Sequence, residues 1–118
     1  MRDSEGERRI YRILSDYGID FEEEYTFPDL IASSGRPLRF DFAIFDLNGD
    51  IDFLIEFQGK QHYTKVGRYG GAKGFYRQQH NDAKKRQYCL QHDIKLVSIP
   101  YYDEDKLTYD YIMRAAGY

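Results

Sequence analysis

The chain has 118 residues, 42% of them hydrophobic and 31% charged, with a formal net charge of −3 and one cysteine. This length supports one domain, residues 1–118, with a single core, and the acidic balance excludes a protein that is basic all over. A lone cysteine excludes a disulfide framework and suits a reducing cytoplasm; no apolar run reaches the ~20 residues of a membrane span, and no signal-like apolar segment opens the chain.

Ser4 to Tyr17 reads as the first helix. Ser4-Glu5-Gly6-Glu7 has the capping-box form, Gly18 is a natural stop, and Ile10, Leu14 and Tyr17 make an inward stripe. Glu7 sits one step up that stripe, and its plain role is the cap, reaching back to the Ser4 amide. Ile19 to Ile31 is a connector with a short extended piece, Glu24 to Phe27, and Glu22, Glu23 and Glu24 form a solvated edge. Ser33 to Pro37 is a loop.

Leu38 to Asp46 and Ile51 to Phe57 are two strands joined through Asn48-Gly49, a pair that favours a type I′ turn because both central residues need positive φ. Counting back from that two-residue loop, Leu47 faces Asp50, Ile44 faces Phe53, and Asp41 lands opposite Glu56. Alternation puts Asp41, Ala43, Phe45, Asp52, Leu54, Glu56 and Gln58 on one face, and Phe40, Phe42, Ile44, Ile51, Phe53, Ile55 and Phe57 on a core face. Opposed residues have Cβ atoms ~5 Å apart, and like charges there are destabilising. The flanking residues are too apolar for an outer strand, so two acids at this spacing call for a cation between them. Hard carboxylate oxygens suit Mg²⁺, which takes one or two carboxylates and completes its shell with substrate phosphate and water. The plain alternative is a pair of solvated acids on an open face. Pro28-Asp29 lies too far before Asp41 to pair with Glu56 through the hairpin and is rejected as a ligand.

Thr64 to Gly74 is glycine-rich, without an acid and without regular pattern. From Lys60 to Arg86 there are eight Lys or Arg against one acid, Asp82. Basic residues interleaved with aromatics suit phosphate contacts with stacking or sugar packing. The candidates for nucleic-acid binding are Lys60, His62, Tyr63, Lys65, Arg68, Lys73, Arg77 and Lys84. Phe75 to His92 is a long helix, with Tyr76, Ala83, Gln87 and Leu90 near one stripe and Asp82, Lys85 and Cys89 on another. Cys89 is a packing residue rather than a nucleophile. Ile94 to Ile99 is the last strand, and a strand–helix–strand connection places it beside the hairpin. Lys106 to Ala116 closes the chain as an amphipathic helix with Leu107, Tyr111, Ile112 and Ala115 facing in. His62, His80 and His92 show no i, i+4 ligand spacing. The order is α-β-β-β-α-β-α, an α/β fold with a mixed central sheet, an antiparallel hairpin plus a crossover strand, flanked by helices.

Asp41 followed by Glu56-Phe57-Gln58 resembles the PD-(D/E)XK nuclease superfamily, in the variant where glutamine replaces the motif lysine; Phe40-Asp41 stands where Pro-Asp would be. The string Glu56-Phe57-Gln58-Gly59-Lys60-Gln61-His62-Tyr63 is similar to the E-x-x-G-x-Q-H-Y signature of small phage-type, bacterial and homing-endonuclease-like members. Asp82 to Cys89 is similar to the D-x-x-K-x-x-Y-C helix that follows it in them. The resemblance covers nearly the whole chain and implies a restriction-endonuclease-like core. It implies hydrolysis of DNA phosphodiesters with Mg²⁺, Mn²⁺ substituting, held by Asp41 and Glu56, and with Glu7 on the first helix pointing at the metal. Gln58 takes the place of the motif lysine; it can orient water but cannot supply charge, so Lys60 or Lys85 compensates. Lys85 is preferred, because migration of the lysine to that helix has precedent in the superfamily. The resemblance further implies the cytoplasm of a bacterial or phage-infected cell. Double-strand cleavage would take a dimer or higher homo-oligomer, or recruitment by a separate DNA-binding protein or domain. The alternative is a catalytically degenerate fold that binds DNA or a partner without cutting.

Overall fold

The computed structural model describes residues 4–59 and 71–118. Its element order matches the one expected: α1 (Glu5–Asp16), β1 (Phe21–Ile31), β2 (Pro37–Phe45), β3 (Ile51–Gln58), α2 (Gly71–Gln91), β4 (Lys95–Pro100) and α3 (Tyr109–Ala115), with a 3-10 turn at Tyr101–Lys106 before α3. The four strands form one mixed sheet in the order β1-β2-β3-β4. β2 is antiparallel to both β1 and β3, and β4 runs parallel to β3, as a crossover through α2 requires. None of the described helices is long and apolar enough to cross a membrane.

Both faces of the sheet are covered, so both carry a core. On one face Ile10 and Leu14 of α1 and Ile112 near the chain's end pack with Phe42, Ile44, Phe53 and Ile55. On the other, Cys89 of α2 packs with Leu30, Leu38, Phe40, Ala43 and Leu54. Two residues of the expected single core face are therefore corrected: Phe40 and Ile51 belong to the α2 side. The reason lies one residue from Phe40. Glu24 of β1 has φ 51°, and the ladder register skips the Glu24–Asp41 step, although Glu23↔Phe42 and Tyr25↔Phe40 keep one register on either side. Across this irregularity both strands change faces. Phe21 and Phe42 join the α1 core while Tyr25, Phe27 and Phe40 join the α2 core, which strict alternation cannot produce.

β1 is also longer than the short piece expected, because Tyr25 and Phe27 alternate with exposed Glu22, Glu24 and Thr26 along an edge strand. The β2–β3 turn differs from a two-residue loop. Asn48 does not take positive φ; Gly49 alone does, at 84°. Asp46 Oδ1 accepts the N–H groups of Asn48 and Asp50 at 2.9 and 3.0 Å, and Gly49 N–H donates to the Asp46 carbonyl at 3.0 Å. An Asp-led turn closed by glycine has the form of a type I rather than a type I′ turn. The one-residue difference is absorbed by an irregularity between Ile44 and Phe45, so Ile44 faces Phe53 as counted from the sequence.

Two helices also turn differently. The expected α2 stripe of Tyr76, Ala83, Gln87 and Leu90 is exposed, and the face holding Asp82, Lys85 and Cys89 meets the sheet. α3 begins later than expected because Thr108 caps it, its Oγ1 accepting the Tyr111 N–H at 3.1 Å. Leu107 and Ile112 are buried as expected, but Ala116 rather than Ala115 turns inward.

α1 sits close against β3 through Gly6. A Cβ at this position would overlap the ring of Phe57. Gly6→Ala should therefore destabilise the fold by roughly 1–3 kcal/mol through overpacking, against the gain of about 1 kcal/mol that alanine normally brings to a helix. A lowered urea midpoint checks it.

Candidate functional site

The β2–β3 ladder is last paired at Phe42↔Ile55. One step further along, where the count opposes Asp41 to Glu56, side chains replace the ladder. Phe57 N–H donates to Asp41 Oδ2 at 2.7 Å, and Asp41 N–H donates to Glu56 Oε1 at 3.2 Å. Each carboxylate thus reaches across to the other's strand, and the two converge as the register requires. Among the described residues Glu56 is the one buried polar or charged residue, 5% exposed. Its other oxygen, Oε2, accepts from Lys85 Nζ of α2 at 3.2 Å, and that ammonium lies 5.4 Å from the centre of the Phe40 ring.

These groups open on a cleft of about 400 Å³ whose lining includes Glu7, Asp41, Glu56, Asp82 and Lys85. Larger grooves lie elsewhere, at the β4 edge, beside the β2–β3 turn and along α3, but none of them is lined by a buried charged side chain as this cleft is by Glu56, so the smaller cleft is the candidate. α1 delivers Glu7 because the Ser4 cap fixes its position: the Ser4 hydroxyl donates to Glu7 Oε1 at 3.0 Å while accepting the Glu7 N–H. The cap and the cleft are therefore compatible for one side chain.

Burial pushes the Glu56 carboxyl up to about 8; the neighbouring Asp41 charge adds to the rise and the Lys85 ammonium opposes it. The folded state thus favours protonated Glu56, so its contribution to stability is full below about pH 4.5 and is lost as pH rises toward 8. Without divalent metal the protein should lose stability between these limits. Glu56→Gln should flatten the slope, read as urea midpoints at acidic and mildly alkaline pH.

Two hard carboxylates brought together, one buried and one half-buried, fit a divalent cation that would take up their charge. Among the described residues no three His, Cys, Asp or Glu side chains cluster at ligand distance. A cation here would have Asp41 and Glu56 as its protein ligands, with the rest of its shell left to substrate phosphate and water.

The other sequence candidates are distributed as follows. Gln58 ends β3 as the Cα partner of Pro100 and is not among the cleft-lining residues. Lys73 and Arg77 are exposed on α2, whereas Lys84 Nζ bonds the Ile31 carbonyl and ties α2 to β1. Lys60, His62, Tyr63, Lys65 and Arg68 lie outside the described residues. Asp29 accepts from the Tyr88 hydroxyl at 2.6 Å, away from the cleft. Burial pushes the Cys89 thiol up to about 11, which suits a packing residue. Sequence reasoning missed Glu24, Arg39, Gln78 and Asn81, all of which line the cleft. Gln78 and Asn81 could have been found from the helix period, since they share a face with Asp82 and Lys85.

The chain is similar to two viral proteins. It is 28% identical over 124 residues to "Uncharacterized protein 307L" of Invertebrate iridescent virus 6, an alignment covering 94% of this chain and 63% of the relative. It is 40% identical over 74 residues to "Uncharacterized protein 094L" of Frog virus 3 (isolate Goorha), covering 61% of this chain and 45% of the relative. The chain thus spans less than two thirds of either relative's length. No protein-family profile matches the chain, and no solved structure does.

Proposed function

We propose that the protein is a metal-dependent DNA endonuclease with a restriction-endonuclease-like core. The observation that carries this reading is the convergence of Asp41 and Glu56 at the end of the β2–β3 ladder, with Lys85 bonded to Glu56 in the same cleft. A bound Mg²⁺ would polarise the phosphoryl oxygen and lower the pKa of a water for attack. Asp41 and Glu56 would hold it, each carboxylate oriented by a backbone N–H of the neighbouring strand. Glu7, fixed by Ser4, lines the same cleft and would help to orient the attacking water. Lys85 supplies positive charge toward the phosphate as negative charge develops there, the part Gln58 cannot play. Exposed Lys73 and Arg77 on α2 extend a positive face for the DNA backbone. One chain offers one such cleft, so double-strand cutting takes two copies or recruitment by a DNA-binding partner.

Incubation of supercoiled plasmid with the protein in Mg²⁺, Mn²⁺ or EDTA tests the reading. Nicking or linearisation in either metal and none in EDTA is the expected result. Salt-sensitive DNA binding with no cleavage in any metal would favour a degenerate binding module, and the absence of both would overturn the reading.

A further inference from the structure

The mechanism above leaves one cation of the cleft without a role. Arg39 of β2 lies two residues before Asp41 and lines the same cleft. Its side chain is 65% exposed, whereas that of Lys85 is 13% exposed and bonded to Glu56. Arg39 Nη1 donates to Glu24 Oε1 at 2.7 Å. Glu24 holds φ 51°, a left-handed conformation uncommon for a residue with a Cβ. Residues are kept in such conformations by surroundings that over-determine them, and they collect at ligand clamps. Here the conformation sits where β1 and β2 change faces, and the Glu24 carboxylate meets the Arg39 guanidinium beside the candidate site.

Charge gives this arrangement a use. Among the described residues, Glu7, Glu24, Asp41, Glu56 and Asp82 line the cleft beside Lys85 and Arg39. Acids outnumber cations in that set, so a cation free to turn outward would be of use to an incoming phosphodiester. A guanidinium presents five N–H donors in a planar fork that matches a phosphate, and the bond to Glu24 uses one of them.

We infer that Arg39, aimed by Glu24, binds the nucleic-acid backbone at a phosphate next to the one that is cut. The inference rests on the nuclease reading and adds the residue that anchors the substrate; Arg39 touches substrate and Glu24 is a positioning residue. The test titrates a labelled DNA duplex with the Asp41→Asn protein in Mg²⁺ across a salt series, with and without Arg39→Gln. Arg39→Gln should weaken binding roughly tenfold at low salt and reduce the salt slope by about one phosphate contact. Arg39→Lys should keep the slope and recover part of the affinity. Glu24→Gly removes the positioning carboxylate while glycine accepts φ 51° without strain. On the otherwise unaltered chain it should leave the thermal midpoint equal or higher, yet raise KM for DNA cleavage with kcat little changed. Unchanged affinity and slope in Arg39→Gln would overturn the inference while leaving the nuclease reading in place. An unchanged KM in Glu24→Gly would overturn the positioning role. Absence of salt-sensitive DNA binding with Arg39 intact would overturn both inference and reading.

Discussion

Asp41→Asn and Glu56→Gln should each reduce metal-dependent DNA cleavage roughly 10³-fold, a loss of about 4 kcal/mol of transition-state stabilisation at 1.36 kcal/mol per decade. Both substitutions keep shape and an acceptor oxygen. Asparagine at 41 can still accept the Phe57 N–H, and glutamine at 56 can still accept the Asp41 N–H. The hydrogen bonds that tie the strand ends together therefore survive, and what disappears is negative charge. Circular dichroism and the thermal midpoint should change little in Asp41→Asn. In Glu56→Gln the midpoint at alkaline pH should rise, because a buried carboxylate has been removed. A variant that is as stable as the parent, or more so, and yet inactive separates a chemical role from a structural one.

The second large effect is expected at Lys85. Lys85→Met keeps the aliphatic stem against Phe40 and removes the ammonium that lies 3.2 Å from Glu56 Oε2. Loss of a charge aimed at the developing negative phosphate costs on the order of 10²- to 10³-fold in kcat. Gln58→Ala should cost far less, since Gln58 does not line the cleft. Lys85 also opposes the upward displacement of the Glu56 carboxyl. Its removal should therefore move the rising limb of the pH–rate profile to higher pH, the direction expected when a carboxylate loses its cation. Metal affinity should not fall with kcat, because the ammonium bonded to Glu56 would have to give way to a bound ion. Single-turnover cleavage by the two variants across pH, at saturating Mn²⁺, measures the rate and the pH effect, and a Mn²⁺ titration measures the affinity.

The pairing of Asp41 with Glu56 could be read from the sequence because Ile44↔Phe53 and Phe42↔Ile55 lock the register by burial, whatever the turn does. The turn itself was misjudged. Asn48-Gly49 favours type I′ locally, but Asp46 offers its side chain to two backbone N–H groups and draws the chain into a different turn. Alternation puts Phe40 and Ile51 on the wrong face because it assumes an unbroken pleat; nothing in the sequence marks Glu24 beside Phe40 as left-handed, or the slip between Ile44 and Phe45 that brings Phe45 opposite Ile51. α2 was turned to the wrong side for a different reason. Hydrophobic periodicity selects Tyr76 and Leu90, yet these are exposed, and the helix lays Lys85 and Asp82 over a polar cleft beside Cys89. At Glu24 and along α2 the local rules give way beside the candidate cleft. Glu24 and Arg39 are invisible for the same reason, since an acid run on an edge strand gives no sign that its exposed Glu24 borders a cleft.

The central claim is that Asp41 and Glu56 together hold a divalent cation. The anomalous difference map of a Mn²⁺-soaked crystal tests it most directly. The account expects a peak in the cleft with one oxygen from each carboxylate at ~2.1 Å, and Lys85 Nζ withdrawn from Glu56 Oε2. A cleft without a peak, in which Lys85 remains bonded to Glu56, or a peak that Asp41 and Glu56 do not share, would contradict it.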